Sequence, residues 1–83
     1  MTRLFAPISS ATYKTVSFCV LIDGVQRKAM ISRDALLENF GANDEPEDWV
    51  NSYISNAAEI DAVVEKKIRK GNGGPVFVVA DDF

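Results

Sequence analysis

Apolar and polar positions alternate most clearly from Thr15 to Ile22, where Val16, Phe18, Val20 and Ile22 recur with period two. That period marks a half-buried strand. Asp23-Gly24 follows, a pair that favours a two-residue type I′ turn because both central positions need positive φ. The chain returns from Val25 to Ile31 as the partner strand. So short a turn sets the register, pairing Ile22 with Val25, Val20 with Arg27, Phe18 with Ala29 and Val16 with Ile31. Opposed residues share a face. One face is then apolar, interrupted by Arg27, and is expected to meet the core. The other carries Ser17, Cys19, Leu21, Gln26, Lys28 and Met30 and is expected to meet solvent, although Cys19, Leu21 and Met30 make it greasy.

The period then becomes helical. Ser32 is a favourable N-cap, Asp34 sits in the first turn, and Gly41 follows Phe40 where a left-handed C-terminal glycine belongs. This predicts a short helix over Ala35 to Phe40. Asp44 and Glu47 read as an acidic variant of a capping box, with Pro46 tolerated in the first turn. From there Trp49, Val50, Tyr53, Ile54, Ala57, Ile60, Val64 and Ile68 recur at helical spacing up to Gly71. One helix over 45–70 would be roughly 39 Å long. A domain of this length is only about 30 Å across. The helix is therefore expected to overhang the body, bend near Ser55-Asn56, or pack against a second copy. Asn72-Gly73-Gly74-Pro75 reads as a loop and Val76 to Ala80 as a last strand. Leu4, Phe5 and Ile8 suggest a short edge strand, limited by the missing donor of Pro7.

Composition narrows the chemistry. The 83 residues carry a net charge of −3, no His and one Cys, with 47% apolar and 25% charged positions. This is a globular composition for a single domain, 1–83, with residues 1–12 as a loosely held arm or edge strand. Without histidine, Ser-His-Asp and Cys-His catalysis cannot be assembled within one chain. One Cys allows neither an internal disulfide nor a Cys₄ zinc site. The apolar patch at Leu4-Phe5-Ala6 is too short for a secretory core, and no apolar run approaches a membrane span. The expected setting is cytoplasmic, with no membrane partner. The acidic balance argues against broad nucleic-acid binding, which needs Lys and Arg to neutralise phosphates.

Several residues are candidates for chemistry. Asp61 falls near 20° when Val50 is placed at about 0° on the helical wheel, inside the apolar arc. A carboxylate there needs a hydrogen bond or a charged partner. Arg27, the one charge on the apolar face of the hairpin, is the partner expected. The acidic group Asp44, Glu45, Glu47 and Asp48 matches no calcium loop, and acids in a first helical turn are expected from the dipole alone. Lys66, Lys67, Arg69 and Lys70 precede a glycine-rich stretch, but these glycines follow a helix instead of opening one, so this is not a phosphate loop. The four cations are expected to point around the helix. Cys19 has no neighbouring cation in sequence to activate it. Trp49 and Tyr53 are expected in the core or an interface, not as a base-stacking pair.

The order of residues resembles a known family. The stretch VSFCVLIDGVQRKAMISRDALLENFGA is followed by IDAVVEKKIRKG and closes with GPVFVVADDF. This is similar to a family of small bacterial proteins known as domain of unknown function number 1488, over about residues 13–83. The most specific positions are Ile31-Ser32, Ala35-Leu36, Phe40-Gly41-Ala42, Ile60-Asp61, Lys67, Gly71 and Asp82-Phe83. Where that pattern has a basic residue one turn before the Ile-acid pair, this chain has Ala57 after Asn56, which weakens any proposal of anion binding there. The resemblance implies a compact α+β domain in a bacterial, cytoplasmic setting, and no activity.

Together these readings predict an α+β fold: an antiparallel sheet of three to four strands including the hairpin, with one short and one long helix on one face. The expected core is Val16, Phe18, Val20, Ile22, Ala29, Ile31, Leu36, Phe40, Val50, Ile54, Ala57, Val64, Ile68, Phe77 and Val79. The leading functional expectation is a non-enzymatic interaction or self-association module, with a homodimer or another protein as partner and no cofactor or metal. The alternative is a small nucleic-acid-binding regulator using the basic helix end. An acid–base enzyme built on Asp61 ranks last. Candidate binding residues are Arg27, Asp61, Lys66, Lys67, Arg69 and Lys70.

Overall fold

The computed structural model describes residues 6–71 and 75–83. The chain runs β1 (Ile8–Ser10), β2 (Thr15–Ile22), β3 (Val25–Ser32), α1 (Arg33–Phe40), α2 (Pro46–Ser55), α3 (Ala57–Arg69) and β4 (Val76–Val78), closing in a 3₁₀ turn over Ala80–Asp82. Asp23 (φ 53°) and Gly24 (φ 80°) both take the positive φ of the expected turn. All four expected hairpin pairs are present, from Ile22 opposite Val25 to Val16 opposite Ile31. Of the suggested N-terminal strand, Ile8 opens β1, which pairs antiparallel with β2. Leu4 and Phe5, like the loop residues 72–74, lie outside the described residues.

The sheet has the order β1-β2-β3-β4 and is mixed, not antiparallel throughout, because β4 runs parallel to β3. Parallel neighbours need a long crossover. The helices between Ser32 and Val76 supply it, returning the chain to the side from which β3 starts. The last strand is shorter than expected and its inward residues are shifted by one. Val76 and Val78 are buried, while Phe77 and Val79 are exposed. Alternation along a strand makes such a one-residue shift exchange the faces completely.

Ser32 caps α1 as expected, its Oγ accepting from Ala35 N at 3.1 Å, and Gly41 closes the helix at φ 68°. Asp44 does not cap α2. Glu45 occupies that position without a side-chain cap, and Asp44 instead faces Arg33 at 3.6 Å. Of the three outcomes expected for the 45–70 segment, the structure shows the bend near Ser55-Asn56, sharp enough to make two helices of it, α2 ending at Ser55 and α3 starting at Ala57. Asn56 makes the break. Its Nδ2 donates to Ser52 O at 2.8 Å and its backbone N–H is shared between Ser52 O and Tyr53 O. Asn side chains compete in this way with the helical ladder. The two pieces, about 15 and 20 Å long at 1.5 Å per residue, fit a body whose extents are 33 × 27 × 22 Å.

All three helices lie on one face of the sheet. Val16, Phe18, Val20, Ala29 and Ile31 pack there against Ala35, Leu36, Trp49, Tyr53, Ile60 and Val64. The buried stripe of α2 and α3 follows Trp49, Tyr53, Ile60 and Val64, at one edge of the expected apolar arc. Ile54, at the other edge, is 55% exposed, and Val50 and Ala57 are only partly buried. Trp49 and Tyr53 are core residues, and the Tyr53 ring stacks on Phe18 with centroids 4.2 Å apart.

Gly24 sits in open space, with nothing within 4 Å of where a Cβ would stand. Gly24→Ala therefore tests the backbone alone. It is expected to destabilise the fold by about 1 kcal/mol, the cost of left-handed backbone for an L residue, as read by urea denaturation.

Candidate functional site

Two groups of polar side chains bind the helices to each other and to the C-terminus. The first joins α2 to α3. Tyr53, fully buried, donates its hydroxyl to Asp61 Oδ1 at 2.8 Å. In a straight helix these two residues would be about 12 Å apart along the axis. The break at Asn56 turns that separation into a bond across the elbow. Asp61, half-buried, thus has the hydrogen-bonded setting that its place on the apolar arc requires. Arg27 is half-buried on β3, opposite Val20.

The second group surrounds the C-terminal turn. Lys67 Nζ donates to Asp82 Oδ2 at 2.6 Å and to the backbone carbonyl of Phe77 at 2.8 Å. The same Asp82 oxygen accepts from Val79 N at 2.8 Å. On the other side Asn39 Nδ2 donates to Ala80 O at 3.2 Å, and Phe83 meets Phe40 edge-on at 5.1 Å. The tail is clamped between α3 and α1. Partial burial alone would raise the Asp82 carboxyl, but the Lys67 hydrogen bond, the Val79 N–H and the Lys67 charge together hold it below its ordinary range.

The basic cluster separates into two parts. Arg69 turns away toward Glu65 at 3.0 Å and Asp23 at 3.7 Å, tying the end of α3 to the hairpin turn. Lys66, Lys67 and Lys70 do not point around the helix. With Val63 they line one open cleft of about 350 Å³, whose opposite wall is Asp81 and Asp82. The spacing i, i+3, i+4, i+7 puts these four positions on one helical face. The cleft is of mixed charge, and Lys67 in it is already paired. Neither the helical wheel nor the tail composition pointed to the clamp. Its only sequence signal was that Lys67 and the closing Asp82-Phe83 are both among the positions that carry the family resemblance.

The face of the sheet away from the helices is the third feature. Ile8, Ser17, Met30 and Phe77 stand side by side in one row across all four strands. The next rows along the hairpin are Cys19 with Lys28 and Leu21 with Gln26. Ile8 is 68% exposed, Leu21 57% and Phe77 47%. Among the described residues, no group of three or more His, Cys, Asp or Glu side chains is placed to hold a metal ion. No helix among them is long and apolar enough to cross a membrane.

The architecture defines a small α+β domain: a four-stranded mixed sheet with three helices on one face and the other face open. The family model of a protein of unknown function (DUF1488) matches residues 8–77, and the chain belongs to that family. The match takes in Lys67 and Asp61 and stops before the Asp82 that Lys67 binds. No curated protein and no solved structure matches the chain.

Lys67→Met and Asp82→Asn are each expected to lower stability by about 1 kcal/mol at neutral pH, since the pair is charge-assisted but partly exposed. A carboxyl depressed in the folded state stabilises above its unfolded value and loses that contribution in acid. The difference between wild type and Asp82→Asn should therefore shrink as pH falls below 3.8, as followed by thermal melts across acid pH. Tyr53→Phe removes one buried hydroxyl and leaves Asp61 without that donor. An expected loss of about 1–2 kcal/mol in urea denaturation tests the elbow bond.

Proposed function

We propose that this chain is a non-enzymatic protein-interaction module that docks through the open face of its sheet. The observation that carries the reading is the row Ile8, Ser17, Met30 and Phe77, apolar at three of its four positions, crossing all four strands on a face no described helix covers. Charge supports it. A quarter of the chain is charged, yet Lys28 is the one charged side chain that the strand registers place on this face. Interface cores are depleted of charge and enriched in Phe and Met in the same way. Contact with nucleic acid through Lys66 and Lys70 is the second reading, supported by their shared cleft. It ranks lower because Asp81 and Asp82 line the same cleft and Lys67 is neutralised there.

A photoreactive benzophenone residue in place of Phe77, in the cells that make the protein, tests the docking face. A covalent protein adduct is expected from position 77 and not from position 54, an exposed apolar site on the helical side. Absence of any adduct at 77 would refute the reading.

A further inference from the structure

We propose that the outer edge of β4, a surface separate from the open face, is a strand-addition site for an extended apolar–acidic–apolar peptide, held shut by the C-terminal strap over 79–83. The direction of the backbone comes first. In a hairpin closed by a two-residue turn, the flanking Ile22 and Val25 exchange hydrogen bonds, and so does every second pair beyond them. Ala29 and Ile31 therefore bond back to β2, and Met30 between them turns its N–H and C=O toward β4. Met30 stands level with Phe77. In a parallel pair the bonds of one residue go to the two neighbours of its level partner. Val76 and Val78 thus face β3, and the backbone groups of Phe77 face outward. Val79 is extended (φ −121°, ψ 171°), so its N–H faces outward as well.

One ion pair takes both outward groups. Lys67 Nζ donates to the Phe77 carbonyl at 2.8 Å, Asp82 Oδ2 accepts from Val79 N at 2.8 Å, and the two side chains meet at 2.6 Å. A single residue of a parallel neighbour would make the same two bonds, donating to one carbonyl and accepting from the N–H two residues on. The Lys67–Asp82 pair is a side-chain stand-in for a fifth strand. The strap that brings Asp82 there is lightly held. Lys67 and Asp82 keep 27% and 22% of their side-chain surface in solvent, and Phe83 is 40% exposed. Segments held by such contacts open locally well before the core does.

Register states what would replace the pair. A peptide residue bonded to Phe77 and Val79 stands level with Val78, which is buried, so its side chain falls on the helix side. Lys66, Lys67 and Lys70 line the cleft there, and its acidic wall, Asp81 and Asp82, leaves with the strap. An acidic side chain complements that place. The residues before and after it fall on the opposite side, beside the exposed Phe77 and Val79, where apolar side chains fit. In strand addition the main-chain bonds give affinity and alternate side chains give selectivity.

Titration of the isotope-labelled full chain with the blocked peptide Thr-Val-Glu-Val-Thr, followed by amide NMR shifts, tests this. Saturable shifts centred on Phe77 and Val79 are expected. Asp82→Ala should bind the peptide about fivefold more tightly, because more of the molecules have the edge open, and Asp82→Asn should move the same way by less. A peptide with lysine at its centre should bind about tenfold more weakly, and Lys67→Met should narrow that difference. Circular dichroism should show the variants folded. Absence of binding to wild type and to both Asp82 variants overturns the proposal. So do shifts centred on Ile8 and Leu21 of the open face, equal binding of the lysine peptide, or Asp82 variants that bind no better than wild type. Self-association of Asp82→Ala without peptide, read by sedimentation, assigns the edge to a second copy and overturns the peptide as its occupant.

Discussion

The hairpin turn is the constraint on which the rest of the molecule depends. With Asp23 and Gly24 both at positive φ, two residues suffice to reverse the chain, and no slip between β2 and β3 is available. Slipping by one residue would send Val16, Phe18 and Val20 to the open face. The turn therefore decides which side of the sheet is apolar enough to be covered. The helices add to that surface. Ser32 ends β3 and caps α1 in the same residue, and Arg33 N donates to Lys14 O at 2.8 Å, so the first helix leaves the sheet at a set place.

Asn56 is the second constraint, and it acts through length. An unbroken helix over 45–70 would project past a body whose longest extent is 33 Å. The break instead lets both segments lie on the sheet, with Tyr53 bridging to Asp61 across the elbow. One consequence bears on assembly. An overhanging helix would itself have been a reason to expect a partner. Once the helix folds back, that reason disappears, and the case for a partner rests on the sheet.

Legibility followed the range of the forces involved. The hairpin, its register, the Ser32 cap and the Gly41 stop were readable because each depends on residues within a few positions of one another. The direction of β4 was not, since it depends on how the intervening helices return the chain. Nor was its inward parity, because Val76 to Val79 is apolar at every position and alternation gives no signal there. Phase was lost on α2 and α3 for a related reason: Trp49, Val50, Tyr53 and Ile54 are all apolar, so packing against the sheet, as of Tyr53 on Phe18, and not pattern, selects Trp49 and Tyr53 for burial. Of the six candidate site residues, Lys67 and Asp61 proved to hold structure together, and Arg69 ties α3 to the hairpin turn. Lys66 and Lys70 were found on one side of the helix, where their run in sequence suggested a scatter.

The clamp around Asp82 also covers one edge of the sheet. β4 is a three-residue edge strand, and an open edge invites strand addition from other chains. Lys67 donates to the Phe77 carbonyl on that strand, and the turn after Val78 is held against α1 and α3. Short edge strands, lysine charge at an edge and cover from a helix or loop are all protections against such pairing. With the Phe77 carbonyl engaged in this way, the docking proposed for the open face of this sheet falls to side chains. Phe77 is the residue where the two roles meet, its carbonyl bound to the clamp and its ring completing the apolar row on the open face.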